Sequence, residues 1–142
     1  MRVAFHEGMR NERKGLLVVD DEKLIRWSIR ELLRGEYRIW TAGSAEQALR
    51  MLGRIKHLDA ILVDIRLPGV NGFEFIRQVH QMRPELKIFV MTAYDQESAP
   101  RLAFSVQADG YLAKPFAMEM LRDMLTSHLI SRPEKARKTA HV

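Results

Sequence analysis

Five times along the chain a short apolar run is followed by a longer amphipathic stretch, and this alternation constrains the fold more than any other feature. The runs are GLLVVD (15–20), YRIWTA (37–42), DAILVD (59–64), LKIFVMTA (86–93) and DGYLAKPF (109–116). The first and third are nearly all apolar before their final Asp, the pattern of strands buried on both faces. The stretches between and after them carry helical periodicity: EKLIRWSIRELLRG, SAEQALRMLGRIK, FEFIRQVHQMRP, DQESAPRLAFSVQA and AMEMLRDMLTSHLI. In the first, Leu24, Ile25, Ile29, Leu32 and Leu33 mark the apolar face, and Gly35 stands where a helix C-cap belongs. Ser44 is the expected N-cap of the second helix. The third must stop before Pro84, and Pro100 fits only the first turn of the fourth. Met118, Leu121, Leu125 and Leu129 form one stripe of the fifth. Five strand–helix units predict an α/β fold built on a parallel sheet. Right-handed crossovers then lay helices on both of its faces.

The chain's 142 residues, 46% of them hydrophobic, suit one domain with a substantial core. With no Cys, disulfides, thiolate nucleophiles and Cys-ligated metals are excluded. There is no uninterrupted apolar stretch of membrane-spanning length. MRVAFHEGMRNERKG lacks the apolar centre of a signal peptide, so a cytoplasmic protein is expected. The formal charge is +5, but residues 16–131 hold 15 basic and 15 acidic side chains, so the excess lies in the two ends. Solvated basic tails, not a nucleic-acid-binding face, are the expectation. The tails are read as residues 1–14 and 131–142, flanking a folded unit of 15–130. Met9 offers an alternative start. After the fifth helix too few residues remain for an independent output domain, so a standalone module or a piece of a longer protein is expected.

In an open parallel sheet, ligands bind beyond the carboxyl ends of the strands. At those ends stand Asp20 and Asp21 after the first strand, Asp64 on the third, Thr92 on the fourth and Lys114, followed by Pro115, on the fifth. Each alone has an ordinary structural explanation: a helix cap, a turn residue, a solvated lysine. Chance does not readily place all five at one sheet edge. Three adjacent carboxylates repel unless a cation joins them, and hard oxygen donors without Cys or clustered His point to Mg²⁺, or Mn²⁺. A lysine and a hydroxyl opposite such an ion suit phosphoryl oxygens. One carboxylate could then act as nucleophile and form an acyl phosphate.

These segments, VVDDE, LVDIRLPGVNG, FVMTAY and GYLAKPF in this order and spacing, resemble the receiver domain of bacterial two-component response regulators. The resemblance covers about residues 15–130. It implies a flavodoxin-like, CheY-like doubly wound sheet of five strands in the order 2-1-3-4-5, with five helices. It implies that Asp64 is the phosphoacceptor, served by a sensor histidine kinase or phosphotransfer protein, and that Asp20, Asp21, Asp64 and the Arg66 backbone carbonyl hold the metal. It implies that Lys114 pairs with Asp64 and later with the phosphoryl group. Thr92 and Tyr111 would be the switch residues, and the Lys114–Pro115 peptide would be cis. A phosphoryl group would thereby alter a surface read by a downstream output protein or domain, or by a second copy through the fourth helix, fifth strand and fifth helix. A receiver catalyses its own phosphorylation and dephosphorylation, so no independent enzymatic turnover is expected. IRWSIRELL resembles receivers attached to sigma-54-dependent activators.

The sequence departs from the family pattern at Gln107, where Gly commonly ends the fourth helix. A left-handed backbone there would cost Gln about 1 kcal/mol. With Pro100, this predicts a short or mobile fourth helix. Arg66 and Tyr94, two residues beyond Asp64 and Thr92, are bulky and predict slow hydrolysis of the acyl phosphate. Trp27 and Trp40 are expected to pack, Met118, Met120 and Met124 to fill the core, and His80 to be exposed. The five His make no metal pattern. Other readings fit less well. Phosphatases of the haloacid-dehalogenase type need Asp-x-Asp on the first strand. A flavodoxin or dinucleotide site needs a Gly-rich phosphate loop that is missing after the first strand. A DNA-binding regulator would need a further domain.

Overall fold

The computed structural model describes residues 13–67, 71–93 and 99–130. The elements follow the predicted alternation: β1 (Lys14–Val19), α1 (Lys23–Leu33), β2 (Tyr37–Ala42), α2 (Ala45–Leu52), β3 (Ala60–Asp64), α3 (Gly72–Met82), β4 (Lys87–Thr92), α4 (Ala99–Ser105), β5 (Gly110–Ala113) and α5 (Met118–Leu129). All strand pairings are parallel, in the order β2-β1-β3-β4-β5.

The strand period of two explains the layers. Leu17, Val19, Ile61, Val63, Ile88 and Val90 face one side and pack with residues of α2, α3 and α4. Leu16, Val18, Leu62, Phe89 and Met91 face the other and pack with Ile29 and Leu33 of α1 and Leu121, Leu125 and Leu129 of α5. Both faces of the central strands are covered, which is why β1 and β3 read as unbroken apolar runs. Strand order reverses between β1 and β3, and the crevice of a doubly wound sheet opens at that point.

Local chemistry sets the helix ends. Ser44 Oγ accepts from the Gln47 amide at 3.1 Å, as expected of the N-cap of α2. Asn71 Oδ1 accepts from the Phe73 amide at 2.9 Å at the start of α3. Gly72 lies so close to the β3–α3 connection that a Cβ would overlap the Ile65 carbonyl. Gln107 has φ 57°, the left-handed conformation considered for this position, and α4 has seven described residues. The predicted start of that helix at residues 95–98 lies outside the described residues.

Expectations for Leu24, Trp27 and Met120 fail because apolar character does not say which way a helical side chain points. Leu24 and Trp27 are 72% and 59% exposed. The buried stripe of α1 runs through Ile29 and Leu33, with Ile25 and Leu32 at its margin, and Leu24 and Trp27 project from the opposite side. Trp40, Met118 and Met124 do pack against the core, while Met120 is exposed. The C-cap of α1 is Arg34 in right-handed conformation, not Gly35. His80 is half-buried rather than exposed, because its Nε2 lies 3.1 Å from the Val106 carbonyl at the end of α4.

Candidate functional site

β1 ends where Asp20 follows its last residue. The Asp20 amide still donates to the Ala42 carbonyl of β2 at 3.1 Å, so the backbone holds ladder geometry one residue past the strand. The Asp20 carbonyl accepts from Arg26 Nη1 at 2.7 Å, and its Oδ1 accepts from the Glu22 amide at 2.8 Å. This residue, entirely without solvent exposure, is therefore held by two backbone hydrogen bonds and one to its side chain. Asp64 is the last residue of β3. Its Oδ1 accepts from the Arg66 amide at 2.9 Å.

Lys114 follows β5 and reaches over the end of β4 to join the two. Its Nζ donates to Asp20 Oδ2 at 2.8 Å, Asp64 Oδ2 at 2.8 Å and Glu22 Oε1 at 3.2 Å. Adjacent strands lie about 4.8 Å apart, so an Nζ that meets carboxylates from β3 and β1 crosses roughly 10 Å of sheet or more with help from their side chains. The Lys114 amide donates to the Thr92 carbonyl at 2.7 Å, and the Lys114–Pro115 peptide is cis, as the resemblance implied. Thr92 is buried at the end of β4 between the two edges of the site. Tyr111, on β5, is 39% exposed. Arg66 is exposed. Tyr94 lies outside the described residues.

Burial pushes the Asp20 carboxyl above its ordinary value. Hydrogen bonds from Lys114 and the Glu22 amide, and the Lys114 charge, oppose this, while the Asp64 charge adds to it. Burial pulls Lys114 the other way, but hydrogen bonds to Asp20 and Asp64 and their charges outweigh it, and the ammonium is held above its ordinary value. The lysine is charged at every physiological pH and compensates the Asp20 carboxylate, whose ionisation burial opposes.

Asp20, Asp21 and Asp64 each present a carboxylate oxygen, and these lie within 4.8 Å of one another. Opposed ligands of a Mg²⁺ ion stand about 4.2 Å apart, so small side-chain adjustments bring the three to one ion. The donors are all hard oxygens, with no thiolate or imidazole among them, which suits Mg²⁺ or Mn²⁺. The residues fit such an ion.

Residues 16–126 match the model of the response regulator receiver domain. The chain belongs to that family. Response regulator MprA of Mycobacterium bovis is 35% identical over 123 residues, covering 85% of this chain and 53% of the relative. The receiver spans about half the length of the curated relatives it matches. Among solved structures, response regulator TrrA of Thermotoga maritima, in complex with Mg²⁺-BeF, aligns with TM-score 0.71 and 33% identity over 82% of this chain and 99% of that one. A CheY-like receiver domain protein of Methanospirillum hungatei aligns with TM-score 0.73 and 29% identity over 82% and 93%. The receiver is thus a two-component signalling domain, and among its described residues no helix is long and apolar enough to cross a membrane.

Sequence reasoning passed over two residues here. Glu22 was legible as the third acid of DDE, but its reach to Lys114 was not. Arg26 stands one helical turn after Glu22, the spacing that returns a side chain to the sheet edge.

Proposed function

We propose that this receiver accepts a phosphoryl group on Asp64 from a phosphohistidine of a sensor kinase or phosphotransfer protein, in a Mg²⁺-dependent reaction, and so switches a protein-interaction face. The observation that carries the reading is the Asp64 carboxylate at the topological switch point, hydrogen-bonded to Lys114 with Asp20 and Asp21 beside it. An Asp64 oxygen attacks phosphorus, the phosphorus–nitrogen bond of the donor breaks, and imidazole leaves with its electron pair. Asp20, Asp21, Asp64 and the Arg66 carbonyl would hold the metal ion, which supplies neutralising charge for the phosphoryl oxygens. Lys114 offers its ammonium to the same oxygens, and Thr92 its hydroxyl.

The switch then follows from local electrostatics. Phosphorylation adds charge and acceptor oxygens beside Thr92. Thr92 shifts toward them, Tyr111 follows from its present exposed position, and the α4–β5–α5 face changes. That face would meet an output domain, an effector or a second copy. The receiver would comprise residues 15–130 between two tails, act in the cytoplasm and bind no nucleic acid itself. It would catalyse its own phosphorylation and dephosphorylation without independent turnover. Arg66 and Tyr94 would shield the acyl phosphate from water and lengthen its life. If Arg66→Asn and Tyr94→Ala both leave its decay unchanged, that role is refuted.

Acetyl phosphate with Mg²⁺ tests the central claim. One phosphoryl group should appear per chain, be absent in Asp64→Asn, and be accompanied by no turnover of bulk phosphomonoesters. Equal labelling of Asp64→Asn would overturn the assignment.

A further inference from the structure

Glu22 occupies the N-cap position of α1, yet its side chain makes no cap hydrogen bond. It turns to the site instead, where its Oε1 accepts from Lys114 Nζ at 3.2 Å. A lysine ammonium has three donors. Here Asp20, Asp64 and Glu22 offer one acceptor each, which uses the full complement. The three acceptors differ. The Asp20 and Asp64 side chains are almost wholly buried, whereas that of Glu22 is 59% exposed and stands at the outer lip. Its backbone is anchored: the Glu22 amide donates to Asp20 Oδ1 at 2.8 Å, and its carbonyl accepts from the Arg26 amide at 3.2 Å.

We propose that Glu22 is a positioning residue that tethers Lys114 in the unphosphorylated receiver and so slows phosphoryl transfer to Asp64. The inference rests on the reading of Asp64 given above. As Asp64 becomes an acyl phosphate, its bond to Lys114 is replaced by one to a phosphoryl oxygen. Asp20, which would hold the metal ion, would give up the lysine. Glu22 gains no new partner in the transfer, so its bond to Lys114 holds the ammonium back from the incoming group. The third acid of DDE thereby sets how readily the lysine is released, a role separate from that of the first two.

Two variants separate a tether from simple repulsion of the anionic phosphodonor. Glu22→Ala removes both charge and reach, while Glu22→Asp keeps the charge and shortens the reach by one methylene. With radiolabelled acetyl phosphate, and Mg²⁺ saturating for each protein, both variants should phosphorylate about twofold to fivefold faster than the parent, the range for loss of one exposed ion pair. In ¹⁵N-labelled metal-free protein, the Lys114 ammonium protons should exchange with water faster in both variants. Acceleration in Glu22→Ala with parental behaviour in Glu22→Asp would overturn the tether in favour of repulsion. Parental rates or unchanged ammonium exchange in both variants would overturn it outright. A parent that takes up no phosphate would instead refute the reading of Asp64, and the ammonium exchange would still decide whether Glu22 restrains Lys114.

Discussion

Lys114→Met keeps the aliphatic stem and deletes the charge that holds the site together. In the metal-free protein this leaves Asp20, with no exposed surface, and Asp64, whose side chain is 8% exposed, facing each other without a cation. Removing one partner of a buried ion pair costs about 3–5 kcal/mol. Protonation of Asp20 limits the loss, so about 3 kcal/mol at pH 7 is expected. The pH dependence has a definite sign. The folded-state value of Lys114 is raised, so its contribution is complete below its unfolded value and disappears only as pH rises through the folded one. At pH 7 the parent therefore has all of it and the variant none. The folded-state value of Asp20 is also raised, so its ionised form costs stability at neutral pH, and that cost is recovered as pH falls through the folded value. Without Lys114 to oppose burial, the recovery is larger. Urea denaturation in chelator at pH 7 and pH 5 should show a wide gap between parent and variant that narrows on acidification. Added Mg²⁺ should narrow it as well, by binding the native carboxylates. Equal stability at pH 7, or a gap that widens at pH 5, would refute the electrostatic account of the site.

Three further outcomes follow from the backbone and the helix ends. Gly72→Ala forces a Cβ against the Ile65 carbonyl, next to Asp64. It should cost about 1–3 kcal/mol in urea denaturation and weaken Mg²⁺ binding measured by calorimetry. Gln107→Gly relieves the left-handed backbone at φ 57° and should raise stability by about 1 kcal/mol, visible as a higher Tm. His80→Ala removes the partner of the Val106 carbonyl and should speed amide exchange across residues 99–107 while leaving β4 protected.

Much of the architecture was legible because it depends on periodicity. Buried strands such as LLVV and AILV need apolar residues at consecutive positions, and the amphipathic helices repeat on a different period, so the fivefold alternation marks each element's type and place, although α2, β5 and α4 end three or four residues before the stretches SAEQALRMLGRIK, DGYLAKPF and DQESAPRLAFSVQA do. The Ser44 cap was legible because one residue's own chemistry decides it, whereas the left-handed backbone at Gln107, which Gln itself disfavours, was legible only through the family pattern that puts Gly there. The faces of α1 were less so. Leu24 is as apolar as Ile25, and only the packing of Ile29 and Leu33 on β1 determines that Leu24 and Trp27 turn outward. His80 likewise looked like an ordinary surface residue of α3 until α4 brought the Val106 carbonyl to it.

The linear order of residues is enough to put carboxylates, a hydroxyl and a lysine at the carboxyl ends of parallel strands, because each terminates a run whose apolar pattern is readable along the chain. Which of them meet depends on how the strands are arranged in the folded sheet. Lys114 and Asp20 are 94 positions apart, and their 2.8 Å contact exists because the order β2-β1-β3-β4-β5 sets β3 between β1 and β4. The same arrangement gives the ammonium a third acceptor in Glu22, which no periodicity could announce. A strand pattern specifies faces and ends. Distances across a sheet come from strand order, which is settled by the packing of all five helices at once.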